Sequence, residues 1–220
     1  MPDYIASIIT ALIGAFIGSL GAVLLKDWLQ RRAENRRTRE RVLQLYLLQL
    51  QDAIESLWYR LNNLKNRGGR AMMEDGYFEI STLYILGRVL AYERILLLDG
   101  IYLKLEKFRP GLEAFLKKSL KDLDEKFGKR GFHRYNRLAL AESVMERGDD
   151  EHFRTRNYID FREDYEAKNS VVNIFLKPAR DYLNGFQIND TNLSAVMDEL
   201  QSAAKRLADE TGIGSTLPHR

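Results

Sequence analysis

The chain has 220 residues, of which 45% are hydrophobic and 30% charged, with a net charge of +3 and no cysteine. That length supports one modest core. With no thiol and only three histidines (His133, His152 and His219), none in an HExxH or HxxxH pair, zinc, haem and thiol chemistry have no support. No catalytic residue, metal or cofactor is assigned, and the chain is read as a non-enzyme.

From Tyr4 to Leu25 no side chain is charged. Twenty-two residues at 1.5 Å each reach about 33 Å, enough to cross a hydrocarbon core of about 30 Å. Residues 1–25 are therefore expected to be a transmembrane anchor. The run is too long for a cleaved signal peptide, and no positive side chain precedes it. Small residues at Ser7, Ala11, Gly14, Gly18 and Gly21 recur at steps of four and three, which forms a face for close helix packing in the membrane. Glycine is also simply common in membrane helices.

Between Lys26 and Arg41 seven basic residues stand against three acidic ones, a local net of +4 that leaves the rest of the chain near −1. The positive-inside rule then predicts an outside N-terminus and a cytoplasmic remainder. Lys26, Arg31, Arg32, Arg36 and Arg37 either meet anionic lipid head groups or only fix topology. A nucleic-acid partner is not expected, because no basic stripe with interleaved aromatics lies on the folded part.

Leu43, Leu47, Leu50, Ile54, Leu57, Leu61 and Leu64 then alternate steps of four and three, the seam of an amphipathic helix. No Pro or Gly lies between Lys26 and Arg67, so the anchor and residues 26–67 are expected to form one long helix. The seam fits a homo-oligomer or a larger membrane complex. It equally fits the chain's own later helices, which its shortness favours.

Asn66, Gly68 and Gly69 end that helix. Residues 68–211 read as a multi-helix cytoplasmic domain, with helices around 79–98, 102–108, 111–127, 135–147, 158–165, 171–186 and 192–210 and no strand pattern. Asp190 or Thr191 is expected to cap the last helix and Gly212 to end it, with residues 212–220 as a flexible tail. Ile80 to Leu98 is apolar nearly all round, but Arg88, Glu93 and Arg94 cost more in a bilayer than its aliphatic residues recover. It is expected to be the central helix of the domain, with its charges partnered by neighbouring helices. The run Asp149, Asp150, Glu151 and His152 reads as a solvated acidic turn.

The phrases STLYILGRVLAYERILLLDG, FHRYNRLALAESVMER and YIDFREDYE resemble those of functionally uncharacterised bacterial single-pass membrane proteins with a helical cytoplasmic domain. The resemblance implies an inner-membrane setting and no chemistry. The fold class expected is thus all-α, an anchor followed by a long amphipathic helix and a helical domain.

The best candidates for a site are the polar residues of these phrases. Tyr84, Arg88 and Tyr92 are one turn apart, so the guanidinium can lie between two rings. Glu93 is expected to pair with Arg134 or Arg137, with Glu142 as a second carboxylate. Such a cluster either holds helices in register, the favoured reading, or binds a small anionic ligand. The leading functional expectation is a membrane-anchored interaction scaffold, and the alternative is a sensor or regulator that binds a small anion in this cluster.

Overall fold

A computed structural model describes residues 24–128, 131–149, 151–167 and 170–218, which belong to two compact units, residues 1–41 and 42–220. In the first unit residues 24–41 are helical and almost wholly exposed. Its charges are held locally: Arg31 pairs with Asp27 and Arg36 with Glu40, each at 2.9 Å and one turn apart, and Arg32 lies over the Trp28 ring.

Among the described residues no helix is long and apolar enough to cross a membrane. Charge is the reason, since residues 26–41 carry ten ionic side chains, each costing about 2.5 to 3.5 kcal/mol at a bilayer centre. The single-pass fold class, the inner-membrane placement with an outside N-terminus, and the head-group contacts expected of Lys26, Arg31, Arg32, Arg36 and Arg37 are corrected accordingly. What stands is an all-α architecture. Residues 4–23 of the expected anchor, with Ser7, Ala11, Gly14, Gly18 and Gly21, lie outside the described residues.

The second unit opens with a π-helical turn, Leu43–Leu47, that leads into α1 (Leu48–Arg67). The leucine seam supplies its core side: Leu47, Leu50, Ile54, Leu57, Leu61 and Leu64 are buried and Leu43 partly so. They pack mainly on two helices of the same unit, α3 (Gly76–Leu98) and α9 (Thr191–Thr211). A seam consumed inside one chain offers nothing to a second copy. The expected homo-oligomeric zipper is therefore corrected.

Between them, α2 (Gly69–Met73) starts where the chain passes the backbone of α8 (Val171–Asn184). A Cβ at Gly69 would fall 2.1 Å from the Leu183 carbonyl oxygen, so only glycine permits this approach. Asp75 caps α3 by accepting from the Tyr77 and Phe78 amides at 2.9 and 3.3 Å. As its all-round apolar sequence requires, α3 is the central helix, meeting α1, α4 (Ile101–Phe108), α6 (Arg134–Ser143) and α7 (Tyr158–Glu166). Its Gly87 lets α6 cross closely, since a Cβ there would lie 3.0 Å from Val144 and 3.2 Å from the Leu140 carbonyl oxygen. The remaining helix, α5 (Leu112–Gly128), packs on α4 and α9.

Two segments depart from expectation. The helix expected to run to Arg147 stops at Ser143, and β1 (Met145–Arg147) pairs antiparallel with β2 (Phe153–Thr155), Glu146 opposite Arg154. Tertiary contacts override helix propensity here: Val144 is fully buried beneath Gly87, and its carbonyl accepts from the Arg156 amide at 2.9 Å. Residues 213–218 of the tail are pinned across α1. The Gln51 amide donates to the Ile213 carbonyl at 3.2 Å, Tyr59 to the Thr216 carbonyl at 2.6 Å, and Thr216 donates from both its amide and its hydroxyl to Glu55. Leu217, 4% exposed, is its apolar anchor.

Candidate functional site

Arg88 and Glu93 stand five residues apart on α3, about 140° around its axis at 100° per residue. The polar residues grouped by sequence therefore part onto two faces. On the first, Arg88 donates to Asp52 of α1 at 3.0 Å and packs over the Tyr84 ring at 5.9 Å, while the Tyr84 hydroxyl donates to the Arg156 carbonyl at 2.8 Å. Tyr92 is buried, and burial pushes its hydroxyl pKa up. This face ties α1 and the segment after β2 to α3.

On the second face α3, α5 and α6 enclose a cleft of about 380 Å³. Glu93 and Arg94 enter it from α3, Lys121, Asp124 and Glu125 from α5, and Arg134 and Arg137 from α6. Leu90, Leu97, Leu138 and Ala141 form an apolar wall in the same space. The structure thus brings Glu93, Arg134 and Arg137 together, with Glu142 at the edge, and leaves Tyr84, Arg88 and Tyr92 elsewhere.

Arg137 is the anchor of the cleft. Its side chain, 8% exposed, forks onto Asp124 with Nε to Oδ1 at 2.5 Å and a terminal nitrogen to Oδ2 at 2.7 Å. Its other terminal nitrogen donates to the Phe132 carbonyl. Such a planar fork is bidentate recognition of a carboxylate, which a lysine could not reproduce. Arg94 pairs with Glu142 at 3.0 Å, yet its Nε is buried with no hydrogen-bond partner among the described residues.

The two arginines expected to neutralise Glu93 do not pair with it. Arg137 is taken by Asp124, and Arg134 forms no ion pair among the described residues. Burial accordingly raises the Glu93 pKa, the Asp124 carboxylate raises it further, and Arg137, Arg134 and Arg94 only partly offset this. A half-buried carboxyl that holds its proton above the ordinary carboxylate range can donate a hydrogen bond.

Asp124 escaped the sequence reading. Its only local signal is its position beside Leu123 and one turn before Phe127, at the margin of the apolar face of α5. Asp99 is a second centre the sequence did not reveal. Its 4%-exposed carboxylate accepts from the Tyr46 hydroxyl at 2.8 Å and the Phe153 amide at 3.2 Å, with His152 Nδ1 at 3.5 Å, fastening the hairpin and the π-helical turn to the end of α3. His152, expected in a solvated turn, is thus part of a structural lock. No group of acidic or histidine side chains that could hold a metal occurs among the described residues.

Comparison with known protein families, with curated proteins and with solved structures gives no match. The resemblance to single-pass membrane proteins is corrected with the topology on which it rested, because its phrases map to the central helix α3, to α6 with the first hairpin strand, and to α7. The membrane-anchored scaffold, with lipid and a second copy as partners, falls with the absence of a described span and with the internal use of the seam.

Proposed function

We propose that this chain is a non-enzymatic sensor or regulator whose helical unit recognises a small anion in the cleft between α3, α5 and α6. One observation carries the reading. A concave space of about 380 Å³, within the range of small-molecule sites, gathers three arginines and a lysine, with Arg134 uncommitted and Arg94 Nε unpartnered. A ligand there contacts three helices at once, so binding couples to their packing.

A thermal-shift series of the full chain with acetate, sulfate and inorganic phosphate tests this. At tenfold over Kd a bound anion stabilises by about 1.4 kcal/mol, which is a Tm rise of about 3 to 6 °C for a protein of this size. Arg134→Ser removes an exposed guanidinium that forms no ion pair among the described residues and is expected to abolish that rise while leaving the Tm without ligand nearly unchanged. No shift with any anion, or an equal shift in the variant, refutes the assignment.

A further inference from the structure

We infer that the anion this cleft selects is a short organic monocarboxylate, held between the Arg134 guanidinium and the carboxyl of Glu93 with its hydrocarbon part against Leu90, Leu97 and Leu138. The inference rests on the anion-binding reading and adds the ligand class and its coupling to protons.

Charge separates a carboxylate from a phosphate. Of the four cations at the cleft, Arg137 is neutralised by Asp124 and Arg94 by Glu142, while Lys121 lies 3.7 Å from Glu125 on its own helix. Among the described residues one uncommitted guanidinium, that of Arg134, is left. A phosphate dianion would meet the Glu93 carboxyl with a single uncompensated cation to offset its two charges. A monocarboxylate needs only one, and the Arg fork fits its two oxygens.

The wall opposite makes the same selection. Leu97 is 66% exposed at the rim, and Leu90, Leu138 and Ala141 continue an apolar surface into the cleft. Inorganic phosphate would leave that surface facing water, whereas a chain of a few methylenes covers it at about 0.8 kcal/mol per buried CH₂.

Glu93 completes the site. Asp124 faces it from α5, Arg134 and Arg137 from α6, Arg94 from its own helix, and Tyr102 from α4, whose hydroxyl pKa burial raises first and Glu93 further. Two carboxyl groups in contact share a proton because both cannot remain charged at that separation. The ligand carboxylate therefore draws a proton onto Glu93, whose O–H donates to a ligand oxygen. The proton comes from solvent, and no other bond changes. Because the bound state holds more protons than the free state, affinity falls as pH rises between the free and bound Glu93 pKa values.

Isothermal titration of the full chain with hexanoate, acetate and inorganic phosphate, at about pH 6 and about pH 7.5 and in buffers of different ionisation enthalpy, tests the inference. With about two of its four additional methylenes buried, hexanoate is expected to bind about tenfold more tightly than acetate, with net proton uptake and weaker binding at the higher pH. Glu93→Gln should bind hexanoate with no uptake and equal affinity at both pH values. Leu97→Ser, at an exposed position that tolerates the change, should weaken hexanoate about threefold and leave acetate unaffected. Phosphate binding more tightly than hexanoate overturns the carboxylate assignment while leaving the anion reading intact, whereas binding by none of the three overturns both. Hexanoate binding without proton uptake, or uptake that survives in Glu93→Gln, overturns the role of Glu93.

Discussion

Removing the Arg137 side chain measures how much the floor of the cleft contributes to folding. Arg137→Met keeps the aliphatic volume but deletes two charge-assisted bonds to Asp124 and one donor to the Phe132 carbonyl. Breaking one partner of a fully buried pair costs about 3 to 5 kcal/mol. The Asp124 side chain keeps 30% exposure, so water partly solvates the stranded carboxylate, and the expected loss is about 2 to 3 kcal/mol. In urea, that is a midpoint lower by about 1 M at the slopes typical of proteins this large. The companion Asp124→Leu also destabilises, but the double variant is expected to recover most of the loss, because no uncompensated charge remains. Urea titrations of the four proteins complete the cycle, and coupling below about 0.5 kcal/mol would refute the view that Arg137 and Asp124 act as one unit.

Glu93→Gln is expected to raise stability at neutral pH. The folded pKa of Glu93 is raised, above all by burial, so its favourable contribution is present below the unfolded carboxylate range and is lost as pH rises through the folded value. The advantage of the variant therefore shrinks as pH falls toward the ordinary glutamate range, and Tm against pH for both proteins would refute this if the gap were constant. Thr216→Val acts with the opposite sign. Burial alone would raise the Glu55 pKa, but hydrogen bonds from Thr216, Gln51 and Ser215 together lower it. Their contribution is present above the unfolded glutamate pKa and lost as pH falls through the folded one. Thr216→Val should cost about 1 kcal/mol at neutral pH and less in acid, with faster amide exchange at Leu217 as a second readout.

Much of the helical skeleton is legible in the amino acids. The four-three spacing from Leu43 to Leu64 marks the buried side of α1, Asp190 caps α9 through the Asn192 and Leu193 amides, and Gly212 ends α9 with a positive φ. These features are local, set within one or two turns of the chain. The hairpin is not legible, because Met145–Arg147 continues the helical pattern of α6 until Val144 meets Gly87. The pinned tail is not legible either, since its partners Gln51, Glu55 and Tyr59 lie some 160 residues away along the chain.

The candidate site divides in the same way. Sequence by itself determined that Arg88, Glu93 and Arg94 sit in an apolar helix and must find partners, because a buried charge without one is costly. Only the tertiary structure decided which partners. It gave Arg137 to Asp124 rather than to Glu93, sent Arg88 to the opposite face, and left Arg134 uncommitted beside a half-buried carboxyl. Azimuth on one helix follows from residue number, but which neighbouring helix meets that azimuth depends on crossings set elsewhere, here by the missing Cβ of Gly87 and the close passage at Gly69.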